Sequence, residues 1–233
     1  MSDYKVLAFD VFGTVVDWHG SIMHEVEQLQ LGIDANEFAL AWRRGYAPAM
    51  QRVMSGELGW TLIDDLHRMI LDQTLADFGV DSLDETQKRD LNKAWHRLRP
   101  WSDSVEGLTR LKSKYMICSL SNGNLGLLSN MAKNGRLPWD CILSAEVFRA
   151  YKPHPDTYLG VAGVFDCDPG DVMLVAAHLD DLAAARDCGL YTAYIERPLE
   201  YGSLNVKDVS PRAENTLHAG NFIALAEQLG CAG

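Results

Sequence analysis

Short apolar runs that favour β-strands recur along this chain at wide intervals, and segments with helical spacing separate them. The runs are KVLAF (5–9), YMICSL (115–120), CILS (141–144), DVMLVAA (171–177) and YTAYI (191–195). Each is short enough for a strand that is buried on both faces. The alternation of strand and helix predicts an α/β fold, in which helices flank a Rossmann-like parallel sheet.

The helices between these runs are marked by their end signals. Residues 121–135 predict a helix that opens after a turn and ends at Gly135, and residues 179–189 predict one that ends at Gly189. Glycine is common just past a helix because it adopts a positive φ at no steric cost. The segment 196–215 is expected to form an ordered surface loop before a last helix.

The segment from about residue 20 to residue 99 breaks the alternation. Apolar residues recur there at helical spacing, for example Ile22, Val26 and Leu29. The segment is too long for one crossover, so it predicts a helical insert after the first strand, and Pro100 marks the return to the sheet. We therefore expect a core formed by residues 1–17 and 99–233, with residues 18–98 as the insert.

Charge and cysteine usage exclude several classes of partner. The net charge of −11 and the absence of a basic run argue against nucleic acid and anionic membranes as ligands. The five cysteines are scattered without a Cys-x-x-Cys pair, which disfavours disulfides and a zinc site. The first residues lack a signal-peptide profile, and no apolar stretch reaches the roughly 20 residues that span a bilayer. We expect a cytoplasmic protein.

Polar side chains follow the ends of four predicted strands. Asp10 follows the first, Ser121 and Asn122 the second, Lys152 the weak strand, and His178 and Asp181 the next. Ligands of open parallel sheets lie at the carboxyl ends of the strands. A hydrolytic or transfer site at this edge is the natural interpretation.

Asp10 is the residue in this group on which the chemistry depends. It suits a nucleophile, a metal ligand or a structural cap of the Gly13-Thr14 turn. A nucleophilic carboxylate must be ionised and held in place, which backbone amides and Thr14 could achieve. Lys152 would favour its charged form.

These motifs, in this order, resemble those of the haloacid dehalogenase superfamily. They are the Asp of FDVFGTVVD, the Ser of SLSNG, the Lys of YKPHP and the acidic AAHLDD. The insert resembles the cap domain that follows the first strand in one branch. The resemblance implies an α/β hydrolase core of residues 1–17 and 99–233 and a helical cap domain of residues 18–98.

Two departures from the superfamily's magnesium-dependent phosphatases narrow the expectation. Phe12 stands where the phosphatases have a second aspartate, which is their general acid, and Ala177 stands where they have a metal ligand. Phosphoryl transfer without a cation would lose its main electrostatic stabilisation. Halide, in contrast, leaves carbon without a proton, and an apolar Phe12 excludes water from that step.

The sequence therefore resembles the type II 2-haloacid dehalogenases, the branch that uses no metal or other cofactor. The resemblance implies hydrolysis of short 2-haloacids, such as haloacetates or L-2-haloalkanoates, to 2-hydroxy acids. Asp10 would form a covalent ester with inversion at carbon. A homodimer is a family expectation. The rival readings are a phosphatase-like hydrolase of a small phosphorylated metabolite and a non-catalytic binding protein.

The resemblance also implies roles for other residues. Arg43 would bind the halide, with Arg44 as the alternative, and Ser121 and Asn122 would bind the substrate carboxylate and the halide side. Lys152 would neutralise the site, and Asp181 would position or activate water. The remaining expected site residues are the orienting Thr14, His178 and the contacts Val11, Phe12, Trp42 and Tyr46.

His178 replaces the asparagine that is usual in this branch. It could donate a hydrogen bond to the ester or act as the base for water, since a histidine pKa can lie near neutrality. It could also only fill space at the cap interface. Trp18 and Trp60 are further candidates for pocket walls, although an aromatic stripe at helical spacing is more often core. The HRLRPW segment (96–101) would be a hinge.

Overall fold

The structure, a computed structural model, describes residues 4–231. Within that range the strands are β1 Val6–Phe9, β2 Val16–Asp17, β3 Arg99–Pro100, β4 Met116–Ser121, β5 Cys141–Ser144, β6 Val172–Ala176, β7 Tyr191–Ile195 and β8 Leu217–Ala219. The helices are α1 Trp18–Gln28, α2 Ala35–Arg44, α3 Tyr46–Met54, α4 Ile63–Asp77, α5 Glu85–Asn92, α6 Ser104–Lys112, α7 Leu125–Gly135, α8 Ala145–Phe148, α9 Pro155–Val164, α10 Leu179–Asp187 and α11 Phe222–Gln228. Short 3-10 helices span Lys93–His96 and Pro169–Asp171.

The main sheet has six strands in the described range, in the order β5-β4-β1-β6-β7-β8, and every neighbouring pair is parallel. The α/β fold with a Rossmann-like parallel sheet is thereby confirmed. All five predicted strands are present. The sixth, β8, is three residues long and was not predicted.

The sheet is buried on both faces, as the nearly unbroken apolar runs predicted. In β1, Leu7 and Phe9 pack into one apolar cluster, while Val6 and Ala8 pack into another. This division follows from the alternation of side chains along a strand. Asp10 comes directly after this fully buried strand, so the packing of β1 fixes the position of its carboxylate.

Helices form the segment between β2 and β3, as the apolar spacing predicted. β2 and β3 pair antiparallel, with Val16 opposite Pro100 and Asp17 opposite Arg99, so the chain enters and leaves the helical segment through two adjacent strands. The interior of the segment is rich in aromatic rings, with Trp18, Trp42 and Trp95 fully buried. Its description as a cap domain of residues 18–98 stays our interpretation.

Both helices that were placed by their end signals are present. α7 ends at Gly135, after which Arg136 adopts the left-handed conformation, and α10 ends before Gly189, whose φ is +86°. None of the described helices is both long and apolar enough to cross a bilayer.

The loop of residues 196–215 differs from the prediction in its burial. It leads to the last helix as expected, and its outer part is exposed. However, Arg197 and Glu200 are buried, and Arg197 Nε donates to the Thr14 carbonyl oxygen at 2.8 Å. The first half of this "tail loop" therefore folds back beneath the turn that follows β1, because its charged residues have partners there.

Candidate active site

Asp10 lies at the carboxyl end of β1 with both carboxylate oxygens engaged. Oδ1 accepts a hydrogen bond from Lys152 Nζ at 2.9 Å. Oδ2 accepts one from Thr14 Oγ1 at 2.7 Å and contacts His178 Nδ1 at 3.0 Å. Burial alone would raise the pKa of Asp10, but the charges of Lys152 and His178 and the hydrogen bonds to Oδ2 lower it far below its ordinary value. Asp10 is an ionised carboxylate held in one orientation.

Thr14 joins this carboxylate to the neighbouring strand. Its hydroxyl donates to Asp10 Oδ2 and accepts a hydrogen bond from the backbone N–H of Ala177 at 2.9 Å. Since Ala177 follows β6, the hydroxyl ties together the turns after two adjacent strands. The orienting role expected of Thr14 matches this geometry.

Lys152 lies between two buried carboxylates. Its Nζ is 2.9 Å from Asp10 Oδ1 and 2.5 Å from Asp181 Oδ2, and Tyr158 donates its hydroxyl to Asp181 Oδ1 at 2.7 Å. Burial would lower the pKa of Lys152, but the charges of Asp10 and Asp181 raise it above its ordinary value. The ammonium therefore stays charged.

Asp181 differs from Asp10 in the direction of its pKa shift. Burial raises the pKa of Asp181, and the charge of Asp10 adds to the rise against the opposing effect of Lys152. Two carboxyl groups that share one ammonium thus have pKa values shifted in opposite directions. Such a pair is typical of a site that combines a permanently ionised group with one that exchanges protons.

His178 lies between Asp10 and Glu200. Its Nδ1 is 3.0 Å from Asp10 Oδ2, and its Nε2 is 2.8 Å from Glu200 Oε1. Burial would lower the pKa of His178, but the charges and hydrogen bonds of these two carboxylates raise it to about 10. At neutral pH the ring is therefore a cation and a donor on both sides, an arrangement that favours the role of a hydrogen-bond donor over those of a base or a space-filling residue.

Glu200 is the group at this site that sequence reasoning missed. The side chain is fully buried in the tail loop, and its partners are His178, Lys207 (2.7 Å to Oε2) and the indole N–H of Trp18 (3.3 Å to Oε1). Burial would raise the pKa of Glu200, but the charges of His178 and Lys207 lower it to about 2. No sequence pattern marked Glu200, and its contact with Gly13, where a Cβ would lie 2.3 Å from Glu200 Oε1, is visible only in the structure.

A cavity of about 1000 Å³ opens beside Asp10, between the sheet edge and the helical segment. The polar lining includes Asp10, Asn122, Lys152, His178 and Asp181. Helices α2 and α3 supply the opposite wall, which consists of Leu40, Arg43, Arg44, Tyr46, Ala47, Met50, Gln51 and Met54. The structure thus brings most of the predicted site residues around one space.

Arg43 and Arg44 both line this cavity but in different environments. The Arg43 guanidinium lies over the Tyr46 ring at 4.1 Å and near the Trp18 ring at 5.5 Å, and its Nη1 is buried without a hydrogen-bond partner among residues 4–231. Arg44 is exposed to solvent. A buried N–H donor that lacks a partner is costly unless a ligand accepts it. Arg43 is therefore the better candidate for binding an anion.

Phe12 provides an apolar surface beside Asp10. Its ring meets those of Trp95 at 5.8 Å, Tyr46 at 6.2 Å and His67 at 6.3 Å, all edge to face. Burial, together with the Arg43 charge, lowers the pKa of His67 to about 3, so this histidine is neutral. The position where the phosphatases have a general acid is thus inside an uncharged cluster of rings.

Four predicted contact residues lie away from the cavity lining. Val11 and Ser121 are almost fully buried, and the Ser121 hydroxyl accepts a hydrogen bond from Gly123 N at 3.2 Å. Trp42 is also buried, and its indole N–H donates to the His67 carbonyl oxygen at 2.9 Å. The fourth, Trp18, binds Glu200. These four side chains pack in the core next to the site and do not face the cavity.

Asn122 and Trp60 complete the set of predicted residues. Asn122 lines the cavity, but its side-chain oxygen accepts a hydrogen bond from the backbone N–H of Lys152 at 2.8 Å. It thus holds the loop that carries the lysine. Trp60 stacks on Tyr151 at 5.0 Å, and of these two rings only that of Tyr151 lines the cavity.

The arrangement of the donor side chains does not favour a metal ion. In the part of the chain that the structure describes, no group of three or more His, Cys, Asp or Glu side chains is arranged to hold a metal ion. The cation between Asp10 and Asp181 is the Lys152 ammonium.

Comparison with known proteins shows the family to which the chain is similar. Residues 4–189 match the family model of the haloacid dehalogenase-like hydrolases. The chain is 29% identical over 203 residues to the (S)-2-haloacid dehalogenase of Xanthobacter autotrophicus, which covers 83% of this chain and 75% of that protein.

Two solved structures are similar over nearly the whole length. The L-2-haloacid dehalogenase PA0810 is 42% identical with a TM-score of 0.92, over 97% of this chain and 99% of that one. A defluorinating L-2-haloacid dehalogenase is 44% identical with a TM-score of 0.93, over 97% of this chain and 95% of that one.

Proposed function

Because the chain belongs to the haloacid dehalogenase-like hydrolases, in the branch of the L-2-haloacid dehalogenases, we propose that it hydrolyses short 2-haloacids to 2-hydroxy acids. The observation that carries the proposal is that the charged Asp10 carboxylate faces a cavity with an apolar side chain and an arginine donor but no general acid at position 12. An ionised carboxylate, held by Lys152, faces a cavity in which the neighbouring Phe12 is apolar and Arg43 has a buried N–H without a partner in the described part of the chain. This arrangement suits attack on carbon with departure of an anion that needs no proton.

In the first step, Asp10 Oδ1 attacks the carbon that bears the halogen. Oδ1 accepts one hydrogen bond while Oδ2 has two partners, so Oδ1 keeps the lone pair that is free to react. The new bond between Oδ1 and carbon forms as the carbon–halogen bond breaks, and the halide leaves with the bonding electrons. Backside attack inverts the carbon. Arg43 binds the departing halide, because its positive charge and its buried N–H lie where negative charge develops.

In the second step, water hydrolyses the ester at Cγ of Asp10. Asp181, whose pKa is raised chiefly by burial, takes a proton from the water. Negative charge then develops on Oδ2, next to Thr14 and His178. The bond between Cγ and Oδ1 breaks, Lys152 protonates the departing hydroxy-acid oxygen, and Asp181 returns a proton to Lys152. The water oxygen remains on Cγ as part of the Asp10 carboxyl group, and the second water proton passes from that group to solvent, which restores the carboxylate and releases one proton for each halide.

The two rival functions face specific obstacles. A phosphatase would need an acid and a metal ligand at positions occupied by Phe12 and Ala177, both of which are buried and apolar. A binding protein would have no use for two buried carboxyl groups that share one lysine and have pKa values shifted in opposite directions. A dehalogenase would release halide, a phosphatase would release phosphate, and a binding protein would release neither.

A release assay separates the three functions. Purified protein is incubated with S-2-chloropropionate, chloroacetate and fluoroacetate, and separately with a phosphate ester plus magnesium. We expect halide and no phosphate. Fluoroacetate is included because one relative, at 44% identity, is a defluorinating enzyme. Phosphate release that depends on magnesium would support the phosphatase, and no release from any compound would support the binding protein.

A further inference from the structure

A line of charged groups runs from Asp10 into the protein behind it. His178 contacts Asp10 Oδ2 through Nδ1 and Glu200 Oε1 through Nε2, and Lys207 Nζ lies 2.7 Å from Glu200 Oε2. Glu200 is completely buried. Electrostatic interactions in such a water-excluded environment are stronger than at the surface.

The position of Glu200 depends on three features of the surrounding chain. Gly13 has no side chain where a Cβ would meet Glu200 Oε1 at 2.3 Å. The indole of Trp18 donates to the same oxygen, and Lys207 also donates to the Ala177 carbonyl oxygen, which ties the tail loop to the turn after β6. The carboxylate is therefore fixed relative to the ring of His178.

Esterification of Asp10 changes what His178 contacts. In the free enzyme its ring lies between two carboxylates, and both favour the protonated form. In the proposed ester Oδ2 is a neutral carbonyl oxygen, so of the two carboxylates Glu200 alone remains charged. This is the stage at which the donor is needed, because attack of water on Cγ puts negative charge on Oδ2.

We infer that Glu200 is a positioning residue for ester hydrolysis, which keeps His178 oriented and protonated as a hydrogen-bond donor to the carbonyl oxygen of esterified Asp10. The inference rests on the proposed function, since it concerns the ester that this reaction forms. It assigns Glu200 to the second half-reaction and not to the displacement of halide, in which Asp10 keeps its own charge until the bond forms.

The other charged groups near His178 do not replace Glu200 after esterification. Besides Asp10 and Glu200, they are Lys207 in the tail loop, Lys152 and Asp181 across Asp10, and the cavity-lining Asp180, Arg43 and Arg44. Asp181 is bonded to Lys152 and Tyr158, so its charge is already engaged. With Lys207 and Lys152 nearby, the imidazolium would lose its proton more readily without Glu200.

The test is a rapid-quench experiment on Glu200→Gln with S-2-chloropropionate. Halide is measured by ion chromatography, and the ester is measured by the mass of the peptide that contains Asp10. We expect a halide burst close to that of the wild type, followed by accumulation of ester. Losing one donor at such a site slows a reaction by up to about 10²–10³-fold. In the variant, the rate of ester hydrolysis should begin to fall at a lower pH than in the wild type. The reason is that His178 loses its proton more readily, and its deprotonation removes the donor.

The matched control is Glu196→Gln. Glu196 belongs to the same loop and pairs with a histidine, His218, at 2.7 Å, but neither residue lines the cavity. Both phases and their pH profiles should be unchanged in this variant. A similar defect in Glu196→Gln would mean that any loss of charge in the loop disturbs the site, and it would overturn the inference.

Other outcomes also decide the matter. Equal slowing of burst and hydrolysis by Glu200→Gln would show a merely structural role, and hydrolysis that rises with pH would show that His178 acts as a base. Absence of halide release in the wild type would instead refute the proposed function. If Glu200→Gln does not fold, His178→Ala, which removes the donor altogether, provides the test: its slow ester hydrolysis should have lost the fall at alkaline pH, and persistence of that fall would contradict the inference.

Discussion

A β-carbon on Gly13 would lie 2.3 Å from Oε1 of Glu200, closer than any real non-bonded contact. The φ of Gly13 is +84°, in the region that favours glycine. The turn after the nucleophile and the buried carboxylate of the tail loop therefore exclude any side chain at this position.

Gly13→Ala should therefore lower both stability and activity. The backbone conformation alone costs an alanine about 1–3 kcal/mol, and displacement of Glu200 adds to that. Gly32→Ala is the matched control, because Gly32 has a φ of +72° but no atom of residues 4–231 within 4 Å of its Cβ position. Thermal unfolding should show a larger loss for Gly13→Ala than for Gly32→Ala, and equal losses would mean that the contact with Glu200 is unimportant.

Asp10→Asn should abolish halide release without unfolding the protein. An amide is a poor nucleophile, and removal of a central catalytic group costs about 10⁴-fold or more. Asp180→Asn is a suitable control, since this exposed aspartate also lines the cavity. Substantial activity in Asp10→Asn, with deamidation excluded by mass spectrometry, would remove Asp10 from its assigned role.

Arg43→Ala should reduce halide release far more than Arg44→Ala. The structure gives Arg43 a buried N–H without a partner in the described range, whereas Arg44 is exposed. Loss of one donor to a developing anion typically slows a reaction by roughly 10²–10³-fold. Steady-state rates for both variants decide the question, and a greater loss in Arg44→Ala would show that the neighbouring arginine binds the halide.

Halide release should continue in excess chelator at an unchanged rate. Lys152 already provides the cation between Asp10 and Asp181, and Ala177 offers no side-chain ligand. Rates are compared before and after dialysis against EDTA, with and without added magnesium. Loss of turnover that magnesium restores would contradict the metal-free mechanism.

Labelled water distinguishes covalent catalysis from direct attack by water. In a single turnover with excess enzyme in ¹⁸O water, the hydroxy acid should be unlabelled, while the peptide that contains Asp10 should gain the label. The S-2-haloacid should give the R-hydroxy acid, because attack by Oδ1 inverts the carbon. Labelled product with unlabelled protein would mean that Asp10 is a base or an anchor.

The sequence was most informative where local pattern determines position. Asp10, Lys152 and Asp181 were found because they lie in the segments that come after the predicted strands β1, β5 and β6, and parallel strands bring such segments to one edge of the sheet. Trp42 and Ser121 were placed in the cavity, yet both are turned into the core. Helical spacing and motif position do not determine which of two neighbouring side chains faces a cavity.

Glu200 and β8 could not be predicted for a different reason. The contact between Glu200 and Trp18 joins residues 182 positions apart, and the loop between β7 and β8 has no periodicity that would place it. β8 consists of the three residues LHA, too few to show alternation. The charge of His178 followed from Glu200, so its role as a donor was also outside what the sequence alone could settle.

The ring cluster around Phe12 separates this chain from the phosphatases by more than one substitution. An aspartate at this position would enter a pocket made by Tyr46, Trp95 and the neutral His67, with no charged partner provided by these three rings. Burial against these rings would raise the pKa of its carboxyl group and weaken the packing of the helical segment. A change from halide displacement to phosphate hydrolysis would therefore require changes in the rings around position 12 as well as the substitution of Phe12 itself.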